Sequence, residues 1–188
     1  MSQDLPTTSY ALLGLLTFGD DLSGYELKQR ADRTLRFYWV SPAMSQVYTE
    51  LARLTELGLV HARDDTTAPT RSTRRYQITA AGRRDLQRWL ASTAVEFPAL
   101  KHPVALRLLM GHVVDPETSR SMLDGYLTML AERRAELQAV RDSLVLDPES
   151  AVDRFRFPRM VADWGLDYYA SERAMVEELI RRVDTDPP

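Results

Sequence analysis

The chain has 188 residues, of which 44% are hydrophobic and 27% charged; that balance builds a packed core and excludes global disorder. It contains no cysteine, which excludes disulfides, thiolate metal sites and cysteine nucleophiles. No run of about 18 apolar residues occurs, so no membrane-spanning helix is expected. The formal net charge of −3 argues at first against a nucleic-acid partner, but residues 1–92 carry 12 Lys/Arg against 10 Asp/Glu while residues 93–188 carry 12 against 17. Binding answers to the local field rather than to the total, so the mildly basic N-terminal half permits an anionic partner. The opening MSQDLPTTSY lacks the basic and apolar regions of a secretion signal. Together with the missing cysteines, this leads to the expectation of a cytoplasmic location.

In chain order, a first helix is predicted from about Ser9 to Phe18, apolar nearly all round and therefore buried. Gly19-Asp20-Asp21 ends it. Ser23 and Glu26 form an S-x-x-E capping box that opens a second helix, with Leu27, Ala31 and Leu35 on one face. Phe37–Val40 fits either a strand or a packed turn. Ser41 as cap and Pro42 at the first helical position start a third helix, which runs to Leu57 before Gly58. Met44, Val47, Leu51 and Leu54 follow helical spacing and define its buried face. Two strands, Leu59–Arg63 and Arg75–Thr79, flank the polar loop DDTTAPTRST. A fourth helix over residues 80–93 turns Leu86, Trp89 and Leu90 inward. Pro98 and Pro103 mark a linker.

Beyond the linker the pattern is helical. A short apolar helix covers residues 104–113. A long one covers Pro116–Val145, with Leu123, Leu130, Leu137 and Leu144 at seven-residue intervals. A last helix over about 157–183 carries a stripe of Trp164, Tyr168, Met175, Leu179 and Val183. The predicted architecture is mainly α with a small β-hairpin wing. A winged helix-turn-helix occupies residues 1–94 and a helical dimerisation arm residues 95–188.

If the third helix buries its apolar face, then Ser45, Gln46, Thr49 and Arg53 point outward. In a helix-turn-helix the N-terminal half of this helix lies in the major groove. Gln can pair with adenine through both of its polar atoms, and the helix-terminal amides with Ser41 can meet a phosphate. The same face, taken alone, also describes an ordinary solvated helix; the adjoining hairpin favours the DNA reading. In that hairpin Arg71, Arg74 and Arg75 cluster beside Thr70, Ser72 and Thr73, where guanidinium groups can grip phosphate or enter a narrow minor groove. A solvated polar loop is the alternative. Tyr48 sits between the two faces, with its ring free to pack and its hydroxyl free to reach a phosphate.

The run Ser41-Pro42 through Gln46-Val47-Tyr48-x-x-Leu51-x-x-Leu54-x-x-x-Gly58-Leu59-Val60 resembles the recognition helix and first wing strand of PadR-type regulators. Leu13-Gly14-Leu15-Leu16 and Ser23-Gly24-Tyr25-Glu26-Leu27 upstream, and Arg75-Tyr76-x-Ile78-Thr79-x-x-Gly82 downstream, are similar as well. The resemblance spans roughly residues 8–92. It implies a dimeric repressor that reads duplex DNA and is often released by a small molecule. Thr49 stands where family members often carry proline or another small residue.

Leucines at seven-residue spacing suit a seam between two helices of a homodimer; the alternative is an intramolecular hairpin core. A two-fold dimer implies a pseudo-palindromic operator. Trp39, Trp164, Tyr168 and Tyr169 are the candidate lining for a small aromatic effector, though aromatics at helical spacing also serve as core or interface. His61, His102 and His112 are scattered, and no glycine-rich phosphate loop occurs, so neither a metal, a cofactor nor enzyme chemistry is expected. Two other classes remain open. One is a winged-helix protein-interaction module, which would want an acidic third-helix face; that helix carries Glu50 and Glu56, but its outward Ser45, Gln46, Thr49 and Arg53 are not acidic. The other is a small-molecule carrier or enzyme built on the helical half.

Overall fold

The computed structural model describes residues 5–19, 21–65, 73–99, 101–144 and 153–185. It divides into two units, Met1–Glu96 and Phe97–Pro188.

The N-terminal unit is built on α1 (Thr7–Leu15), which continues as one 3₁₀ turn to Phe18. Its leucines at 12, 13, 15 and 16 are all buried, as expected of a helix that the rest of the unit wraps. The capping box at Ser23 is formed on both sides: Glu26 N–H donates to the Ser23 hydroxyl at 3.2 Å, and Ser23 N–H donates to the Glu26 carboxylate at 2.8 Å. It opens α2 (Gly24–Thr34), whose Leu27 and Ala31 are fully buried. Phe37 ends a 3₁₀ turn that starts at Leu35, so the aromatic segment forms no strand.

The third helix, α3 (Met44–Glu56), starts two residues later than Ser41-Pro42 suggested. Ser41 is not its cap. Its hydroxyl donates to Asp32 Oδ1 of α2 at 2.6 Å, and the extended Ala43 occupies the cap position without a side-chain bond. Val47, Leu51 and Leu54 are completely buried while Met44 is half-buried, close to the predicted inner face. Gly58 ends the helix at φ +70°, a conformation that side-chain-bearing residues rarely adopt.

A three-stranded antiparallel sheet follows, in the order β1-β3-β2, from β1 (Leu22–Ser23), β2 (Val60–Asp65) and β3 (Thr73–Ile78). The hairpin pairs Val60 with Ile78 and Asp65 with Thr73. The two-residue β1, too short to carry a sequence signal, pairs Leu22 with Tyr76. Thr79 caps α4 (Ala80–Ser92) by accepting Gly82 N–H at 3.0 Å. On α4, Leu86 is buried and Trp89 stacks on Tyr10 with ring centroids 4.7 Å apart. Leu90, expected inward, is 67% exposed. At 100° per residue it stands beyond the edge of the stripe that Leu86 and Trp89 bury.

The C-terminal unit contains α5 (Pro103–Leu108), a 3₁₀ turn at Gly111–Val113, α6 (Pro116–Ser143) and α7 (Arg156–Thr185). The long helices α6 and α7 pack on each other as a hairpin. Leu123 and Leu130 join Val104 and Val176 in the core, with Tyr169, Leu179, Ile180 and Val183 packed against it. This corrects the expectation of a leucine seam between two copies. Leu123, Leu130 and Leu137 are buried within one chain, Leu179 is half-buried beside them, and Leu144 lies just past the helix end. The alternative hairpin core is the observed arrangement. The α7 stripe read from sequence mixes two faces, because steps of four residues advance the face by about 40° each. Trp164, Tyr168 and Met175 are exposed, whereas Leu179 and Val183 have drifted onto the packed side.

Gly82 fixes how α4 meets the hairpin. A Cβ there would stand 2.2 Å from the Leu59 carbonyl oxygen, a backbone atom that cannot swing aside. Gly82→Ala is expected to cost about 2–3 kcal/mol by overpacking. The measurement is the urea midpoint of the N-terminal unit, followed by near-UV circular dichroism of the Tyr10–Trp89 stack at unchanged m-value.

Candidate nucleic-acid interface

The N-terminal half of α3 presents a polar, outward face. Ser45, Gln46 and Thr49 are exposed, and the helix start has no side-chain cap to occupy its amides. Neither Ser45 Oγ nor the Gln46 amide makes a hydrogen bond among the described residues, so both retain their full bonding capacity. Thr49 differs: its hydroxyl donates to the Ser45 carbonyl at 3.0 Å, leaving an acceptor and a methyl group outward. Such a methyl suits apolar contact with thymine.

Tyr48 is 48% exposed, and its ring lies over the backbone of Gly24 at the start of α2. A Cβ at residue 24 would come within 2.5 Å of Tyr48 Cε1. Glycine at 24 therefore leaves room for the Tyr48 ring over the start of α2. Sequence reasoning placed Gly24 in a motif without seeing why glycine was needed; the signal lay on a side chain 24 positions away.

The wing arginines divide. Arg74 is exposed on β3 and makes no hydrogen bond or ion pair among the described residues; Thr73 beside it is exposed too. Arg75 was expected to serve DNA alongside them, but its guanidinium is engaged internally. Nη1 donates to Glu26 Oε2 at 2.8 Å and to the Asp21 carbonyl at 3.0 Å, and Nε lies 3.4 Å from Asp65 Oδ2. Arg63, opposite it on β2, donates to Asp21 Oδ2 at 2.8 Å. These contacts clamp the base of the hairpin to the start of α2. Arg53 is also committed, to Glu50 on its own helix. Arg71 lies outside the described residues.

Glu26 is the hub of the clamp. The Ser23 backbone N–H, then the Ser23 hydroxyl, then Arg75 hold its carboxyl below the ordinary value of 4.5. A single carboxylate thus caps α2 and anchors the wing.

In the C-terminal unit, Tyr168 and Tyr169 meet edge to face with centroids 5.9 Å apart, and Trp164 is exposed. Trp39, the fourth candidate effector residue, is half-exposed in the N-terminal unit. No group of three or more His, Cys, Asp or Glu is placed to hold a metal ion among the described residues. None of the described helices is long and apolar enough to cross a membrane.

A helix with an open polar face, set behind a capped partner helix and flanked by a clamped hairpin, defines a winged helix-turn-helix protein. Residues 12–88 match the transcriptional regulator PadR-like family, and residues 100–184 match the virulence activator alpha C-terminal family. Between them these two matches take in most of the chain, and the first marks residues 12–88 as a PadR-like regulator domain. The negative transcriptional regulator PadR of Bacillus subtilis is 36% identical over 81 residues, covering 43% of this chain and 43% of that protein. The match therefore spans less than half of the curated relative. Among solved structures, Bacillus subtilis PadR in complex with operator DNA superposes with a TM-score of 0.82 at 22% identity, covering 95% of this chain and 99% of that one. The same protein in complex with p-coumaric acid gives 0.75 at 22% identity, covering 99% and 100%. These structures establish the shared fold. The relatives are regulators and not enzymes.

The clamp has a pH signature. A carboxyl that titrates lower in the folded chain than in the unfolded one contributes stability that is complete above its unfolded value and is lost as the pH falls through its folded value. Acidification from the ordinary 4.5 downward should therefore erode this contribution in the wild type. Glu26→Gln should be less stable than wild type at neutral pH and should lose less on acidification across that window. Urea midpoints measured at a series of pH values check both.

Proposed function

We propose that the chain is a cytoplasmic, homodimeric, sequence-specific DNA-binding regulator that represses from an inverted-repeat operator. One observation carries the reading. The outward half of α3 offers Ser45, Gln46 and Thr49 to solvent, with the Ser45 hydroxyl and the Gln46 amide not engaged by the chain itself, beside an exposed wing arginine. In this arrangement α3 enters the major groove, where Gln46 reads a base edge and Thr49 contacts a neighbouring one. Thr73, Arg74 and the Tyr48 hydroxyl meet the sugar-phosphate backbone and set the register. Ser41, bonded to Asp32, holds the approach to α3 rather than touching DNA. Support comes from the Bacillus subtilis relative that was crystallised with operator DNA.

The homodimer is supported by α7. Phe157, Met160, Val161, Trp164, Tyr168 and Met175 are all exposed and fall on one helical stripe. That stripe lies roughly a quarter-turn from the face packed on α6. A row of large apolar side chains of this length marks a surface for association. A second copy seated there, related by a two-fold axis, supplies the second α3 that an inverted repeat with half-sites about 34 Å apart, one turn of DNA, requires. A small aromatic effector at Trp39, Trp164, Tyr168 or Tyr169 is the accompanying proposal, supported by the relative crystallised with p-coumaric acid. Such a ligand acts only through unequal affinity for the DNA-competent and incompetent states.

Gel-shift titrations test the DNA reading, using the duplex recovered by genomic-fragment selection beside a random-sequence duplex. Gln46→Ala is expected to cost about 1–3 kcal/mol on the selected duplex and little on the random one. Arg74→Ala should weaken both and lower the salt slope by about one. Equal affinity of the wild type for all duplexes would sink the assignment of Gln46. For the assembly, Met160→Glu combined with Met175→Glu should shift the chain from dimer to monomer in sedimentation at unchanged helicity. A wild type that sediments as a monomer at high concentration ends the dimer proposal.

A further inference from the structure

Glu50 stands on α3, yet it is 5% exposed, whereas Glu56 on the same helix is exposed. Its Oε2 accepts the hydroxyl proton of Ser9, a fully buried residue of α1. Arg53 Nη1 donates to both carboxylate oxygens, at 3.3 and 3.2 Å. Arg53 belongs by position to the outward stripe, seven residues beyond Gln46 and four beyond Thr49. Its side chain is nevertheless turned onto Glu50.

A carboxylate removed from water needs donors, and leaving it short of them costs far more than the pair gains from its own attraction. Ser9 provides one neutral donor. The charge is balanced by Arg53 alone among the described residues. If Arg53 reached out to a phosphate, the buried Glu50 carboxyl would keep a single hydroxyl partner and no counter-charge among the described residues. Arg53 is thus drawn towards a carboxylate held out of water, while the phosphate contact that competes for it is a screened surface one.

Resting on the DNA-binding reading above, we propose that Glu50 is a positioning residue of the recognition helix, holding the Arg53 guanidinium away from phosphate and pinning α3 to α1 through Ser9. The consequence is selectivity. A phosphate contact strengthens binding to every sequence alike, whereas base-edge contacts discriminate. Withholding one cation leaves discrimination to Ser45, Gln46 and Thr49.

The test is the slope of log affinity against log salt for the full-length chain, on a random-sequence duplex and on the selected duplex. Glu50→Gln retains the size and the hydrogen bonding but removes the charge that holds Arg53. It should steepen the slope on random duplex by about one, the increment for one added phosphate contact. It should also raise affinity for that duplex several-fold at low salt and narrow the ratio between selected and random sequences. The double variant Glu50→Gln with Arg53→Gln should return to the wild-type slope. Arg53→Gln alone should leave the slope as it is. A purely structural Glu50 would lower both affinities without altering either slope, and that result overturns the proposal. So does an Arg53→Gln slope shallower by about one, which would make Arg53 a direct phosphate contact; this arm decides even if Glu50→Gln does not fold. A wild type that binds neither duplex removes the DNA reading and the inference together. A wild type that binds, with slopes contrary to those expected, removes the inference alone.

Discussion

Val47, Leu51 and Leu54 lie completely out of water in the core of the N-terminal unit, and residues three and four apart share one face of a helix. Their burial sets the roll of α3 about its own axis. Removing any one of these side chains from the core forfeits a transfer free energy of about 1.5–3 kcal/mol, so the roll does not drift. Every polar group at the outer surface of α3 is outward as a result of this constraint. Among the described residues the Ser45 and Gln46 side chains have no hydrogen bond that would aim them individually, and Thr49 has only one to its own helix; all three are aimed by what the opposite side of the helix buries.

Charge follows the same logic of prior commitment. The sequence offers many arginines in the N-terminal half, and by composition each is equally fit for a polyanion. The fold spends several of them internally: Arg75 and Arg63 on the clamp around Asp21 and Glu26, and Arg53 on Glu50. Arg74 differs from Arg75 by a single position, yet alternation along β3 sends the two side chains to opposite faces of the strand. One meets the acidic groups at the start of α2; the other meets solvent.

Patterns that depend on near neighbours were legible in the sequence. The Ser23–Glu26 capping box, the buried face of α3, the glycine stop at residue 58 and the hairpin around the polar loop all involve residues a few positions apart, and all are present. Readings that depended on distant partners fared differently. Ser41 has the composition of a cap, but Asp32 claims its hydroxyl, and the helix begins at Met44. Nothing near Arg75 in sequence announces Glu26, and nothing near Glu50 announces Ser9. In the helical half, seven-residue leucine spacing specifies a helix–helix seam without specifying whose helix supplies the other side. The fold back of α7 onto α6 answers that locally, and it leaves a different row of side chains on α7 facing outward.

Gly24 and Tyr48 bear on how this chain can change over generations. The ring occupies the space that any β-carbon at residue 24 would need. A larger residue at 24 thus leaves the surroundings undisturbed only in a background where position 48 has already become small. The reverse order passes through a chain whose Tyr48 ring is pushed off the start of α2. Two positions on different helices are in this way coupled, and a lineage that keeps the tyrosine ring in this place favours the glycine with it.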